Sequence, residues 1–100
     1  MSDWYVLEGG EILGPFTTEE WIGIEKKETP HIGDDTIGAV RISTVFLNLD
    51  HAFLDGTTPV LFETMIFGGE LDQEQFRYTT IDEARAGHAA AVAAVKKTLN

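Results

Sequence analysis

Residues 40–67 read VRISTVFLNLDHAFLDGTTPVLFETMIF, two runs of β-branched and aromatic residues on either side of a polar, glycine-containing break. In the first run Val40, Ile42, Thr44 and Phe46 alternate with Arg41, Ser43, Val45 and Leu47, which is the two-residue period of a strand. One of these faces reads as fully apolar, and the other is polar only at its beginning, so a helix need cover one face only. In the second run Val60, Phe62, Thr64 and Ile66 alternate with Leu61, Glu63, Met65 and Phe67, so both faces are largely apolar, as a central strand requires. The spacing predicts strands over about Ala39 to Leu49 and Pro59 to Phe67, joined as a long antiparallel hairpin. An ionised carboxylate on a buried face is costly, so Glu63 is either solvated or paired. Arg41, the only cation of the preceding strand, is its expected partner.

Downstream, Gly68-Gly69 closes the second strand, Glu70 to Gln75 forms a polar connection, and Phe76 to Thr79 reads as a third strand. Thr80 and Glu83 have the spacing of a capping box, in which each side chain satisfies the other's exposed backbone amide at a helix start. The helix then runs from Ile81 to Leu99, with Ile81, Ala84, His88, Ala91, Val92, Val95 and Leu99 at the spacing of one inward face. Ala86, Gly87, Ala90, Ala93 and Ala94 leave an adjacent face small enough to admit a close neighbour such as another subunit. Upstream, His31 to Gly38 has the glycine and aspartate content of a loop. Thr17 and Glu20 form a second capping box opening a short helix over Thr18 to Lys27, with Trp21 and Ile24 inward and Pro30 as its stop. Trp4 to Leu7 and Glu11 to Phe16 make a small hairpin about Gly9-Gly10. The expected fold is therefore a single α+β domain over residues 1–100: an antiparallel sheet, a C-terminal helix packed on one face, and a short N-terminal helix.

One hundred residues with 43% apolar content suffice for one core. The chain has no cysteine, which excludes disulfides and thiolate metal sites and fits a reducing cytoplasm. The opening MSDWYVLEGG lacks the basic and apolar regions of a signal peptide, and no apolar run approaches the roughly 20 residues of a membrane-spanning helix. A cytoplasmic protein is expected. The formal net charge is −10, and between Asp34 and Glu83 ten acids face only Arg41 and Arg77. Such a field repels nucleic acid and anionic membrane, and favours a basic partner or cations.

Several groups could carry chemistry. Asp50, His51, Asp55 and Glu63 offer hard oxygen donors and an imidazole around the hairpin connection, and a divalent cation would suit them. Their spacing matches no calcium loop and no zinc-hydrolase motif, and Asp50 and Asp55-Gly56 are equally ordinary turn residues. His88 is the odd residue on an apolar helix face. Proximity to His51 or Glu63 would make it half of an acid–base pair, whereas a single hydrogen-bond partner would make it structural. Phe53 sits with Leu54 in the polar connection, either tucked beneath it or exposed as an interface anchor. No nucleophile elbow and no phosphate-binding glycine loop is present, so no catalytic residue, metal or cofactor is assigned.

Arg41-Ile42-Ser43-Thr44-Val45-Phe46-Leu47, Leu49-Asp50-His51, Leu61-Phe62-Glu63-Thr64-Met65-Ile66-Phe67-Gly68-Gly69, Leu71-Asp72, Arg77-Tyr78-Thr79-Thr80, Glu83-Ala84 and Ala86-Gly87-His88-Ala89 together resemble a family of small proteins encoded by tailed bacteriophages and prophages. The resemblance spans residues 36 to 95; Asn48 stands where the pattern has glycine. The family carries no assigned activity, and the resemblance implies a setting in which small accessory proteins inhibit or sequester host components. Trp4-Tyr5, Gly14-Pro15-Phe16 and Trp21 are also similar to the opening of GYF-type domains, which bind proline-rich peptides. Ile22-Gly23-Ile24 stands where that family has its glycine-tyrosine-phenylalanine triplet, so the rings that would stack on such a peptide are missing.

Charge and resemblance together lead to the expectation of a non-enzymatic phage accessory protein, an acidic inhibitor of a host defence or nucleic-acid-handling complex in the manner of an anti-CRISPR or a DNA mimic. Its binding residues would be Glu70, Asp72, Glu74, Asp50, Asp55 and Phe53, with His51, Glu63, His88 and Arg41 as a polar site. Its partner would be a host protein, with no direct nucleic-acid or membrane contact, and homo-oligomers are compatible with the small helix face. Two alternatives stand beside this reading: an oligomeric protein that sequesters a nucleotide signal, and a small metal-dependent enzyme using Asp50, His51, Glu63 and His88.

Overall fold

The computed structural model describes residues 3–24, 31–49 and 59–99. Strands β1 (Trp4–Glu8) and β2 (Glu11–Phe16) form an antiparallel hairpin, followed by helix α1 (Thr18–Ile22). Strands β3 (His31–Ile37), β4 (Val40–Phe46), β5 (Phe62–Phe67) and β6 (Gln75–Tyr78) form a four-stranded antiparallel meander in that spatial order. Helix α2 (Ile81–Thr98) returns across one face of this sheet. The fold is a small α+β domain, as the hydrophobic periodicities predict.

Register follows from the alternation of side chains. Ile42 pairs with Ile66, Thr44 with Thr64 and Phe46 with Phe62, so the uncharged faces of β4 and β5 coincide beneath α2. The helix meets them with Ala84, His88, Ala91 and Val95, four buried residues at spacings of four, three and four. Small alanines at this contact let the helix lie close to large sheet residues. Phe46, Phe62, Ile42 and Ile66 are almost completely buried, and each such side chain stabilises the fold by about 1.5–3 kcal/mol relative to exposure. Phe46 and Phe62 meet edge to face at 5.4 Å.

The core is divided. One cluster gathers Tyr5, Phe46, Leu61, Phe62 and Ala84 at the N-terminal end of α2, and the other gathers Val40, Ile42, Ile66, Ala91 and Val95 toward its C-terminal end. Between them runs a layer of polar side chains centred on His88. The β1–β2 hairpin joins the first cluster through Tyr5, whose backbone amide donates to Asn48 O at 2.7 Å while Asn48 Nδ2 donates to Tyr5 O at 2.9 Å. Trp4 stacks on Trp21 at 4.2 Å and donates from Nε1 to Thr18 Oγ1, which fastens α1 to the hairpin.

Three expectations are corrected. Residues 31–37 form an edge strand rather than a loop. Their polar composition fits an edge, where one side of the strand faces water, and a two-residue turn at Gly38 and Ala39 returns the chain directly into β4. Helix α1 ends at Ile22 with Gly23 as its cap, not at Lys27; both capping boxes are present, but a five-residue helix fastened by a tryptophan pair has no buried residue of its own to extend it. Leu99 is a cap residue 51% exposed rather than part of the inward face, because the helix outruns the sheet beneath it.

Candidate functional site

His88 occupies the centre of the polar layer. Its Nε2 lies 2.6 Å from Asp35 Oδ2 on β3, and its Nδ1 lies 2.7 Å from Thr44 Oγ1 on β4. Thr44 Oγ1 in turn meets Thr64 Oγ1 on β5, and Tyr78 on β6 donates its hydroxyl to Thr64 at 3.1 Å. One side chain from each strand of the sheet thus joins a chain of hydrogen bonds running from edge to edge. A carboxylate only accepts, so Nε2 carries the proton. With a neutral imidazole, Nδ1 then accepts from Thr44, Thr44 from Thr64, and Thr64 from Tyr78, and every link is satisfied in a single direction.

Two glycines make this layer close. A Cβ at Gly33 would fall 2.6 Å from the His88 ring, and one at Gly87 would fall 2.1 Å from the Tyr78 hydroxyl. Strand β3 and helix α2 approach the aromatic rings through positions that lack a side chain. The order carboxylate, imidazole, hydroxyl is that of an activated nucleophile. Thr44 and Thr64 are both fully buried, however, so the hydroxyls point into the interior and the arrangement wires the sheet to the helix.

The polar residues singled out in the sequence fall on different faces. Glu63 lies on the side of the sheet away from α2, where Arg77 Nε donates to its Oε2 at 3.0 Å, and so it does not meet His88. The expected pairing of Arg41 with Glu63 is replaced by a two-pronged bond from Arg41 to Asp34, with both contacts at 3.0 Å. The register explains the exchange: Arg41 stands opposite Phe67 and Glu63 opposite Val45, four residues apart, or about 14 Å at roughly 3.4 Å per residue. The hydrogen bond from Arg41 holds the Asp34 carboxyl below its usual range, and Asp34 reciprocally raises the guanidinium. Asp50, His51, Phe53 and Asp55 lie outside the described residues. Among the described residues no group of three or more carboxylates and histidines converges as a metal site would.

The acidic candidates Glu70, Asp72 and Glu74 share the connection between β5 and β6, and all three are exposed. The connection is tightly built. Gly68 N donates to Asp72 Oδ1 at 2.6 Å, Gln73 N to Ile66 O at 2.7 Å and Glu74 N to Leu71 O at 3.1 Å. Asp72 therefore shapes the turn, while Glu70 and Glu74 are presented by it. Beside the turn, between β6 and α2, lies an apolar groove of about 450 Å³ lined by Leu71, Glu74, Phe76, Tyr78, Gly87, Ala90 and Ala94 among others. Asp35 and Thr44 were not foreseen as partners of His88, nor Thr64 and Tyr78 as the links beyond them. The signal for them lay in the two threonines on otherwise apolar strand faces, which need hydrogen-bond partners just as His88 does.

Comparison with protein-family models, with curated proteins and with solved structures finds no match.

Proposed function

We propose that this chain is a phage-encoded accessory protein that acts by binding, its acidic surface engaging a basic surface on a host defence or nucleic-acid-handling protein. The observation that carries this reading is the ordered acidic turn. Glu70 and Glu74 project from a connection braced by side-chain and backbone hydrogen bonds, so little conformational freedom remains to be lost on association. Residues 68–76 contain no cation, and the neighbouring Arg77 is engaged by Glu63. A net charge of −10 disfavours direct contact with nucleic acid and steers basic partners toward the protein. No helix among the described residues is long and apolar enough to cross a membrane, and the proposed place of action is the host cytoplasm.

The test is capture from bacterial lysate by the tagged chain and by its Glu70→Lys/Glu74→Lys variant, washed across a salt series. A host protein held by the parent, released by rising salt and lost from the variant supports the reading. A partner held equally by both at low salt removes the acidic mechanism. Asp72 is left unchanged because its substitution would disturb the turn itself.

A further inference from the structure

We propose that the chain pairs with a second copy of itself across the outer edge of β6, joining two four-stranded sheets about a two-fold axis through Phe76. Among the described residues strand β6 is an edge of the sheet. Its carbonyls at Glu74 and Tyr78 accept from Ile66 N and Leu61 N, both at 3.1 Å, so those residues turn their backbone toward β5. Alternation then turns the amides and carbonyls of Gln75 and Arg77 outward. Such a row is a ready template for another strand.

The surroundings of this edge are self-complementary. Phe76 projects on the α2 side of the sheet with 44% of its surface exposed. On the same face it forms one wall of the apolar groove floored by Gly87, Ala90 and Ala94, and stands at that groove's outer rim. Knob and hole therefore sit side by side on one protomer, and a two-fold axis brings each to the other's counterpart at once.

Charge selects both the edge and the register. The opposite edge, β3, carries Asp34 on one face and Asp35 on the other, engaged by Arg41 and His88, and meeting a copy there would bring carboxylates of the two copies together on each face. The only charge on β6 is Arg77. Centring the axis on Phe76 places Gln75 opposite Arg77 of the second copy and Glu74 opposite its Tyr78. Slipping the register by one residue in each strand toward Arg77 sets the two arginines face to face, which is repulsive. Because the pairing is antiparallel, the two acidic turns lie at opposite ends of the joined strands. This inference rests on the strand edge and not on what those turns bind, although Glu74 lies within the paired stretch.

Sedimentation equilibrium of the full chain should give twice the protomer mass of 11.0 kDa. The chain has no cysteine, so Phe76→Cys introduces a single thiol at the axis. Its Cα would lie about 4.5 Å from its counterpart, as in a non-hydrogen-bonded pair, within reach of a disulfide. Mild oxidation should yield a covalent dimer of Phe76→Cys at least tenfold faster than of Gln75→Cys, which stands opposite Arg77 on the other face. Phe76→Glu should be monomeric with an unchanged circular dichroism spectrum, since the ring is not part of the protomer core. A parent chain that stays at protomer mass at the highest attainable concentration overturns the proposal. So does a Phe76→Cys protein that sediments as a dimer under reducing conditions yet crosslinks no faster than Gln75→Cys, because that dimer uses another surface; loss of the dimer on removing the ring supports the proposal.

Discussion

His88 carries two of its neighbours, and its removal is felt by both. Replacing it with alanine opens a hole between the two core clusters and strands the buried Thr44 hydroxyl, so a loss of about 2–4 kcal/mol is expected. Thr44→Val keeps the shape but deprives Nδ1 of its donor, at about 1–3 kcal/mol, whereas Tyr78→Phe removes only the last link, at about 0.5–1.5 kcal/mol. Urea unfolding of the three variants checks that order. A Thr44→Val protein as stable as the parent would show that the chain of hydroxyls does not hold the imidazole. Gly87→Ala is a sharper test of packing. In the interior of an ordinary helix this change stabilises by about 1 kcal/mol, but here the added methyl would meet the Tyr78 hydroxyl at 2.1 Å. A lower melting temperature is expected, and Gly87→Ala combined with Tyr78→Leu should recover most of it. Equal or higher stability of the single variant would mean that Tyr78 swings away freely.

Helix α2 is the element on which the fold depends most, since it packs against all four strands of the sheet. Its start is held by Thr80, whose hydroxyl accepts from Glu83 N at 3.1 Å, and Thr80→Ala should cost about 1 kcal/mol. The Glu83 carboxylate accepts from the Thr79 hydroxyl and from the amides of Thr79 and Thr80, and these bonds hold its carboxyl below the usual glutamate value. A depressed folded value means that the unfolded chain takes up the proton first as pH falls. The contribution of Glu83 is therefore complete above the ordinary glutamate range and lost as pH drops through the folded value. Thermal unfolding between about pH 6 and about pH 3 should show a steeper decline for the parent than for Glu83→Gln. Parallel curves would place the pH dependence in other carboxylates. Strand β3 shows the opposite balance: its glycine and aspartates favour turns, and it becomes a strand because pairing with β4 and the seat for His88 outweigh local preference.

At the scale of the whole molecule, charge opposes compactness. With a net charge of −10, self-repulsion is set against surface ion pairs such as Arg41–Asp34 and Arg77–Glu63, which solvent and salt screen. Raising ionic strength from about 10 mM to about 150 mM shortens the screening length from roughly 30 Å to roughly 8 Å. The melting temperature should rise by a few degrees; a fall would mean that the two pairs contribute more than the repulsion they relieve. The strands of the central hairpin, both helix starts, the inward stripe of α2 and the acidic connection were legible in the sequence, because period, capping and charge are local properties carried by neighbouring residues. The strand at 31–37, the partners of His88, the exchange of ion pairs at Arg41 and Glu63, and the groove beside β6 were decided only by tertiary structure. Each depends on which residues the register and the helix crossing bring together. Asp35 and His88 are 53 positions apart, and no local pattern records a contact that exists only when a helix closes over a sheet.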